Sequence, residues 1–285
     1  MEYQSITLEL IKLIKNKKEL NSLDDSLIET HLLKYKNEIN SILNKYVSFK
    51  QFQKSAVCKD IISSIRADLR EIYGVFIKTN LNNFEKNITK LNNYEDPLIE
   101  KILSGHQSSI ERLNHYSKTY ILIFNKLFEW GLNKKYSLID LACGFNPFAY
   151  KYLPIKPTKY LASDLSTKDM SLINLFFKNT KIKGEAIALN LLSQNDTDIL
   201  KNHYDVCFLF KALDSLESKS RHSSKKLISK INSDFFVISF PKKTIGGKKE
   251  IKLSKRTWFE RFSDQNFSKK EVFEIENETF YLLKK

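Results

Sequence analysis

The chain is poor in residues that cross-link or interrupt a fold: its 285 residues hold 3 cysteines, 7 glycines and 5 prolines. Cys58, Cys143 and Cys207 lie far apart with no CxxC pair. So few cysteines, so placed, argue against a disulfide framework and a structural zinc site, and the three read as buried thiols. No apolar run approaches the roughly 18–20 residues of a membrane span, and the amino terminus mixes lysines and glutamates into an amphipathic pattern without a small-residue cleavage site. A soluble, cytoplasmic protein is expected. Acids are also scarce, 33 against 47 Lys and Arg, for a net charge of +14. Such a surplus suits a polyanionic partner.

The surplus is not spread evenly. Residues 1–105 hold 16 Lys and Arg against 14 Asp and Glu, whereas residues 106–285 hold 31 against 19. It is densest from Lys219 to Lys230 and from Lys242 to Arg256. A single surface lysine says little beyond solubility, but two clusters together point to phosphate.

Over its first hundred residues the chain has one glycine and one proline, Gly74 and Pro97, and no strand-like alternation. Apolar residues recur at helical spacing in Leu8, Ile11 and Ile14, in Leu27, Leu32, Tyr35 and Ile39, and in Ile61, Ile65, Leu69 and Ile72. The pattern predicts a bundle of four or five helices over 1–105, with Asp24 or Asp25 capping the second. A long helix is predicted from His106 to about Trp130, with Ile110, Leu113, Tyr120, Phe124 and Leu127 on its apolar face. Ser108 and Glu111 would form a capping box there, and Gly131 would end the helix.

After Gly131 the pattern changes to short apolar runs separated by helical stretches, as in a mostly parallel α/β sheet. Seven runs qualify: Tyr136–Ala142, Lys159–Ser163, Gly184–Leu189, Tyr204–Phe210, Asp234–Phe240, Glu271–Ile275 and Thr279–Leu283. Seven is the count for a SAM-dependent (S-adenosylmethionine-dependent) methyltransferase sheet. The last two runs lie too close for a crossover and should pair antiparallel. Residues 106–285 therefore read as a second, α/β domain.

The sharpest motif in that domain is the run from Leu138 to Pro147, an apolar strand entering a turn at Gly144 and then a helix near Pro147. Such a turn places backbone N–H groups and a helix start beside a ligand. Asp164, 20 residues past Gly144 and at the end of the next strand, can accept hydrogen bonds from ribose hydroxyls; it can equally cap the helix entering at Ser166 and Thr167. No GxGxxG fingerprint is present to cradle a pyrophosphate, which favours SAM over a dinucleotide. Lys211, emerging from the apolar run that ends at Phe210, needs a partner, and Asp214 and Glu217 are the nearest acids along the chain.

From Asp140 to Phe148 the chain resembles the first motif of the aminoglycoside-resistance 16S rRNA (guanine-N7) methyltransferases. Four further stretches are similar in order and approximate spacing: His106 to Leu113, Phe208 to Glu217, Phe236 to Pro241 with the basic loop Lys243 to Lys248, and Trp258 to Phe262. The resemblance covers about residues 100–285; before that only helical character is shared. It implies a class I, Rossmann-like methyltransferase domain over 106–285, and a helical domain over 1–105 that docks on RNA.

The implied SAM site comprises His106, Ser109, Arg112, Asp140, Ala142, Cys143, Gly144, Asn146, Pro147, Asp164, Asn190, Leu191 and Leu192, with Arg112 on the cofactor carboxylate and the last three around adenine. Phe210 and Lys211 would position the target base, and Phe145, Phe148 and Phe210 are candidates to stack on it. Lys242, Lys243, Lys248, Lys249 and Lys252 would bind RNA phosphates, and no metal is implied. The implied partner is 16S rRNA in the assembled small subunit, met by a monomer. A methyltransferase of another RNA, at a different rRNA site or on tRNA, and a non-catalytic SAM- or RNA-binding protein are the alternatives. Lysines stand after the fifth strand where the family mixes Arg with Lys, so these contacts would be point charges without bidentate geometry.

Overall fold

The computed structural model describes residues 3–17, 19–21, 23–70, 81–193, 198–243, 250–251 and 256–285. The chain divides into two compact units, Met1–Ile77 with Leu165–Lys168, and Lys78–Asp164 with Asp169–Lys285.

The first unit is helical: α1 (Tyr3–Lys15), α2 (Asp25–Leu33), α3 (Lys36–Leu43), α4 (Phe49–Lys54) and α5 (Ala56–Leu69). Burial follows helical spacing. In α1 Ile6, Leu10, Ile11 and Ile14 face the core, whereas Leu8, expected there, is 65% exposed. It sits two residues from Ile6 and Leu10 and therefore on the far side of the helix. Ser55 caps α5, its hydroxyl accepting the Cys58 N–H at 3.1 Å. Asp24 occupies the N-cap of α2, but its side chain makes no capping hydrogen bond to that helix. Its carboxylate accepts instead from the backbone N–H and hydroxyl of Thr167, within the same unit. Ile72 lies outside the described residues.

The second unit begins with α6 (Leu81–Ile88) and α7 (Leu98–Leu103). The long helix expected from His106 is two helices, α8 (Gln107–Arg112) and α9 (Tyr116–Glu129). The break leaves Ile110 37% exposed. No capping box forms: His106 is the N-cap, and the Ser108 hydroxyl meets His106 Nδ1 at 3.0 Å instead of a backbone N–H. Gly131 follows α9 with φ 99°, the left-handed conformation that favours glycine after a helix.

All seven expected strands are present in one sheet: β1 (Ser137–Leu141), β2 (Lys159–Asp164), β3 (Gly184–Ala188), β4 (Tyr204–Phe210), β5 (Ser233–Pro241), β6 (Lys269–Ile275) and β7 (Glu278–Lys284). Their order is β3-β2-β1-β4-β5-β7-β6, with β7 antiparallel to β5 and β6 and the rest parallel. Strands β1 and β4, apolar but for Ser137 and Asp140 in the first and Asp205 in the second, are buried along nearly their whole length, as sheet interiors covered on both faces require. Ile139, Leu141, Cys207, Leu209, Phe236, Ile238, Tyr281 and Leu283 form a single core with α11 (Leu213–Lys219), α12 (Ser223–Lys230) and α13 (Thr257–Asn266). Tyr120 and Phe124 of α9 pack on Phe208, and α10 (Thr167–Asn179) brings Phe177 against Tyr160.

The parallel order reverses between β1 and β4. Ligands of open α/β sheets bind at such a switch point, beyond the carboxyl ends of the strands. No described helix is long and apolar enough to cross a membrane.

Candidate active site

Strand β1 ends at Leu141, and the next residue, Ala142, takes φ 51°, a strained conformation for a residue with a Cβ. Gly144 follows with φ 50° and a 3-10 turn runs over Asn146–Tyr152, so the helix expected near Pro147 is a tighter, shorter element. Glycine at 144 is required twice, by its φ and because a Cβ there would come within 2.7 Å of the His106 imidazole. The Gly144 N–H donates to Asp164 Oδ2 at 2.8 Å and the Cys143 N–H to the Ser163 carbonyl at 2.9 Å, which ties the turn to the end of β2. In the next strand Ala188 is the register partner of Asp164. Asn190 follows two residues later, its side chain accepting the Leu192 N–H at 3.0 Å, and Leu191 lies between them. The expected cofactor residues on β1, β2 and β3 thus stand at adjoining strand ends.

Asp140, wholly buried in β1, accepts through Oδ2 from Asn146 Nδ2 at 2.7 Å and from the Tyr160 hydroxyl at 2.8 Å. The Tyr120 hydroxyl in turn donates to Asn146 Oδ1 at 2.9 Å. Among the described residues, Oδ1 of Asp140 has no donor. Burial raises the Asp140 pKa to about 6, against the lowering effect of Asn146, Tyr160 and Arg112. An unmet buried carboxylate oxygen is costly, and a cationic amino group, such as that of SAM, would satisfy it.

His106 stacks on Phe145 with ring centroids 5.1 Å apart and packs against Gly144. Burial, followed by the charges of Arg112 and Lys211, depresses its pKa to about 3. Phe145 and Phe148 are core residues: both are fully buried, held by Phe84 and Phe176, and neither offers a face for a base. Ser109 is likewise buried, in α8.

Across the switch point lies a second cluster. Arg112 donates from Nε to Glu278 Oε2 at 2.8 Å and from Nη2 to Oε1 at 2.6 Å, a bidentate pair with both side chains buried. Its guanidinium lies 4.8 Å from the Phe210 ring centroid. Lys211 takes φ 57° just past β4, and its Nζ pairs with Glu111 at 2.7 Å and Glu278 at 3.4 Å. The acids expected for it, Asp214 and Glu217, are engaged elsewhere. Asp214 pairs with buried Arg256 at 3.3 Å, and Glu217 accepts the His222 N–H at 2.6 Å. Ser239 also donates to Glu278. Burial would raise the Glu278 carboxyl, but Arg112, Lys211 and these hydrogen bonds hold it below its ordinary value. Glu111 is lowered in the same way, Lys211 outweighing its burial.

Between α8, α9 and the β6–β7 turn the cluster borders a pocket of about 170 Å³, lined among others by Glu111, Arg112, Lys211, Glu276 and Glu278. Glu278 sits there because β7 runs antiparallel, so that its first residue is the register partner of Pro241 at the carboxyl end of β5. Nothing in the sequence singles it out, as it is one of three glutamates, at 274, 276 and 278, around a hairpin turn. Of the expected phosphate contacts, Lys242 forms an ion pair with Glu274, and the backbone of Lys243 forms an antiparallel β-bridge with that of Glu250. Lys248, Lys249 and Lys252 lie outside the described residues.

A family model described as ribosomal RNA methyltransferase (FmrO) matches residues 66–281. The chain is 27% identical to the 16S rRNA (guanine(1405)-N(7))-methyltransferase of Micromonospora echinospora, over 79% of this chain and 83% of that protein. It is 26% identical to the enzyme of the same name from Serratia marcescens, over 66% and 70%. Among solved structures, 16S rRNA methyltransferase RmtF in complex with S-adenosyl-L-homocysteine aligns over 100% of this chain and 99% of that one, with a TM-score of 0.76 at 22% identity. The 16S rRNA methylase ArmA aligns over 72% and 98%, with a TM-score of 0.58 at 25% identity. The fold is that of class I methyltransferases, whose methyl donor is SAM. With three quarters of its length matched and a SAM-compatible switch point, the chain belongs to the FmrO family of ribosomal RNA methyltransferases.

Proposed function

We propose that this protein transfers the methyl group of SAM to N7 of a guanine in the decoding site of 16S rRNA, and so confers aminoglycoside resistance. Its substrate is the assembled small subunit, which it meets as a cytoplasmic monomer whose amino-terminal helices, within residues 1–105, dock on the RNA. The observation that carries the choice of atom is the weakness of the bases beside Lys211. His106 is held near pKa 3 and the carboxyls of Glu111 and Glu278 are held low, so none is suited to remove a proton near neutrality. Guanine N7 presents an in-plane lone pair and loses no proton when alkylated. Its methylation needs alignment rather than a base. The curated relatives carry that activity in their names.

SAM supplies an electrophilic methyl group on a sulfonium. The residues divide the remaining work. Arg112, fixed by Glu278, holds the cofactor carboxylate, while Asp140 Oδ1 accepts from its ammonium. Asp164 accepts from the ribose hydroxyls. His106, Ser109, Ala142, Cys143, Gly144, Asn146 and Pro147 shape the wall on the methionine side, and Asn190, Leu191 and Leu192 flank the adenine. Phe210 and Lys211 position the target base, the lysine donating to an acceptor on the guanine edge. Lys242 and Lys243, with Lys248, Lys249 and Lys252, hold flanking phosphates.

The test is transfer of labelled methyl from SAM to intact small subunits, naked 16S rRNA and tRNA, followed by chain cleavage at N7-methylguanine. Label at one guanine of 16S rRNA in intact subunits is expected. Label in tRNA alone, or at an atom other than N7, contradicts the reading.

A further inference from the structure

The Lys219–Lys230 stretch takes no part in the site above, and its surroundings are unusual for a solvated surface. Residues 218–233 contain no acid. The two acids of the preceding helix are committed: Asp214 to Arg256 at 3.3 Å, and Glu217 to the N–H groups of His222 at 2.6 Å and Ser224 at 3.3 Å. Among the described residues, Arg221, Lys225, Lys226 and Lys230 have no carboxylate within 4.0 Å.

Helix α12 turns Ser224, Leu227 and Ile228 into the core and leaves Lys226 and Lys230 exposed, one turn apart. Like charges at that spacing destabilise a helix. Lys225 lies 6.0 Å from the Trp258 ring centroid, and exposed Arg221 precedes α12 in a turn where His222 takes φ 65°. Glu217 holds that strained turn, with Ser223 and Ser224 donating to the Leu216 and Leu213 carbonyls at 2.8 and 3.0 Å. The cations are therefore mounted on a fixed frame. That frame begins two residues past Lys211, because α11 leaves the carboxyl end of β4 directly.

We propose that Arg221, Lys225, Lys226 and Lys230 form a phosphate-binding ridge that grips the substrate RNA backbone away from the target base. Four cations without a carboxylate partner, on one helix and the turn before it, suit the charge of a nucleic acid strand, and an RNA there would relieve the repulsion between Lys226 and Lys230. The ridge reads no sequence; it sets the angle at which RNA enters the β4 end of the site. The inference rests on the RNA-methylating reading above.

The test compares wild type with the full chain carrying Arg221→Ala, Lys225→Ala, Lys226→Ala and Lys230→Ala together, and with a control in which the three lysines are changed to arginine. Binding to intact small subunits is measured across a salt series, SAM binding by calorimetry and methyl transfer with labelled SAM. The alanine variant should bind subunits about 10- to 100-fold more weakly, with a salt slope shallower by about 3. It should keep its SAM affinity, and the arginine control should behave as wild type. Unchanged subunit affinity and slope in the alanine variant, with methyl transfer intact in wild type, overturns the ridge alone. Absence of methyl transfer by wild type overturns the underlying reading and the ridge with it. Loss of SAM affinity in the alanine variant would place these residues in the fold's stability and also overturn the ridge.

Discussion

Two buried carboxylates, Asp140 on β1 and Glu278 on β7, behave in opposite ways. Among the described residues, Asp140 accepts two hydrogen bonds on one oxygen and none on the other, and burial lifts its pKa to about 6. Glu278, equally buried, receives Arg112 through two bonds, Ser239 and the Lys211 charge, and is held below its ordinary value. Burial alone would raise both. The number of cationic partners decides the direction. The saturated carboxylate reads as scaffold, whereas the undersatisfied one has capacity left for a ligand.

The most severe break in this comparison is Glu278→Ala, which strands the Arg112 guanidinium without its anion. A loss of about 3–5 kcal/mol is expected, read by urea unfolding. The pH dependence separates the two carboxylates. The Asp140 pKa is raised on folding, so the folded state holds its proton between about pH 4 and 6 while the unfolded chain has released it. Stability contributed by that proton is lost as pH rises through the window, by about 3 kcal/mol in all. Glu278 is lowered, so its contribution is present above the ordinary glutamate range and is lost as pH falls through the folded value. Asp140→Asn should therefore flatten the decline in stability between about pH 4 and 6 and leave the acid limb in place.

Gly144→Ala should cost about 1–3 kcal/mol, because φ 50° and the approach to His106 both penalise a Cβ. Thermal unfolding with and without SAM would read it. Lys242→Ala should have the smallest effect, below about 1 kcal/mol, since its pair with Glu274 is partly exposed.

The two sides also differ in how far the sequence revealed them. The β1 side is local: an apolar strand, Gly144 and an acid 20 residues on are enough, and the Gly144 to Asp164 hydrogen bond joins the two named residues. Most strand positions were equally plain, because they are apolar runs between polar breaks; β6, with Lys269, Lys270, Glu271 and Glu274, is the exception. The other side is built from distant segments. Arg112 and Glu278 are 166 residues apart, and only the reversal of β7 brings the glutamate to the site. Periodicity carried Ile110, Leu113 and Tyr120 through as one helix; the break at residues 113–115 is a tertiary feature, since these residues are individually compatible with helix. The choice of Glu111 over Asp214 for Lys211 was equally hidden, because proximity along a chain does not predict which acid a strand end will face.

The central claim, that the β1–β2 ends bind the cofactor and the β4 end positions the RNA base, is tested most directly by steady-state methyl transfer to small subunits with Asp164→Ala and Lys211→Ala measured in parallel. Asp164→Ala should raise KM for SAM and leave kcat within a few-fold. Lys211→Ala should lower kcat with the KM for SAM unchanged. A Lys211 variant whose only defect is SAM affinity, or an Asp164 variant whose SAM KM equals wild type, would contradict that division.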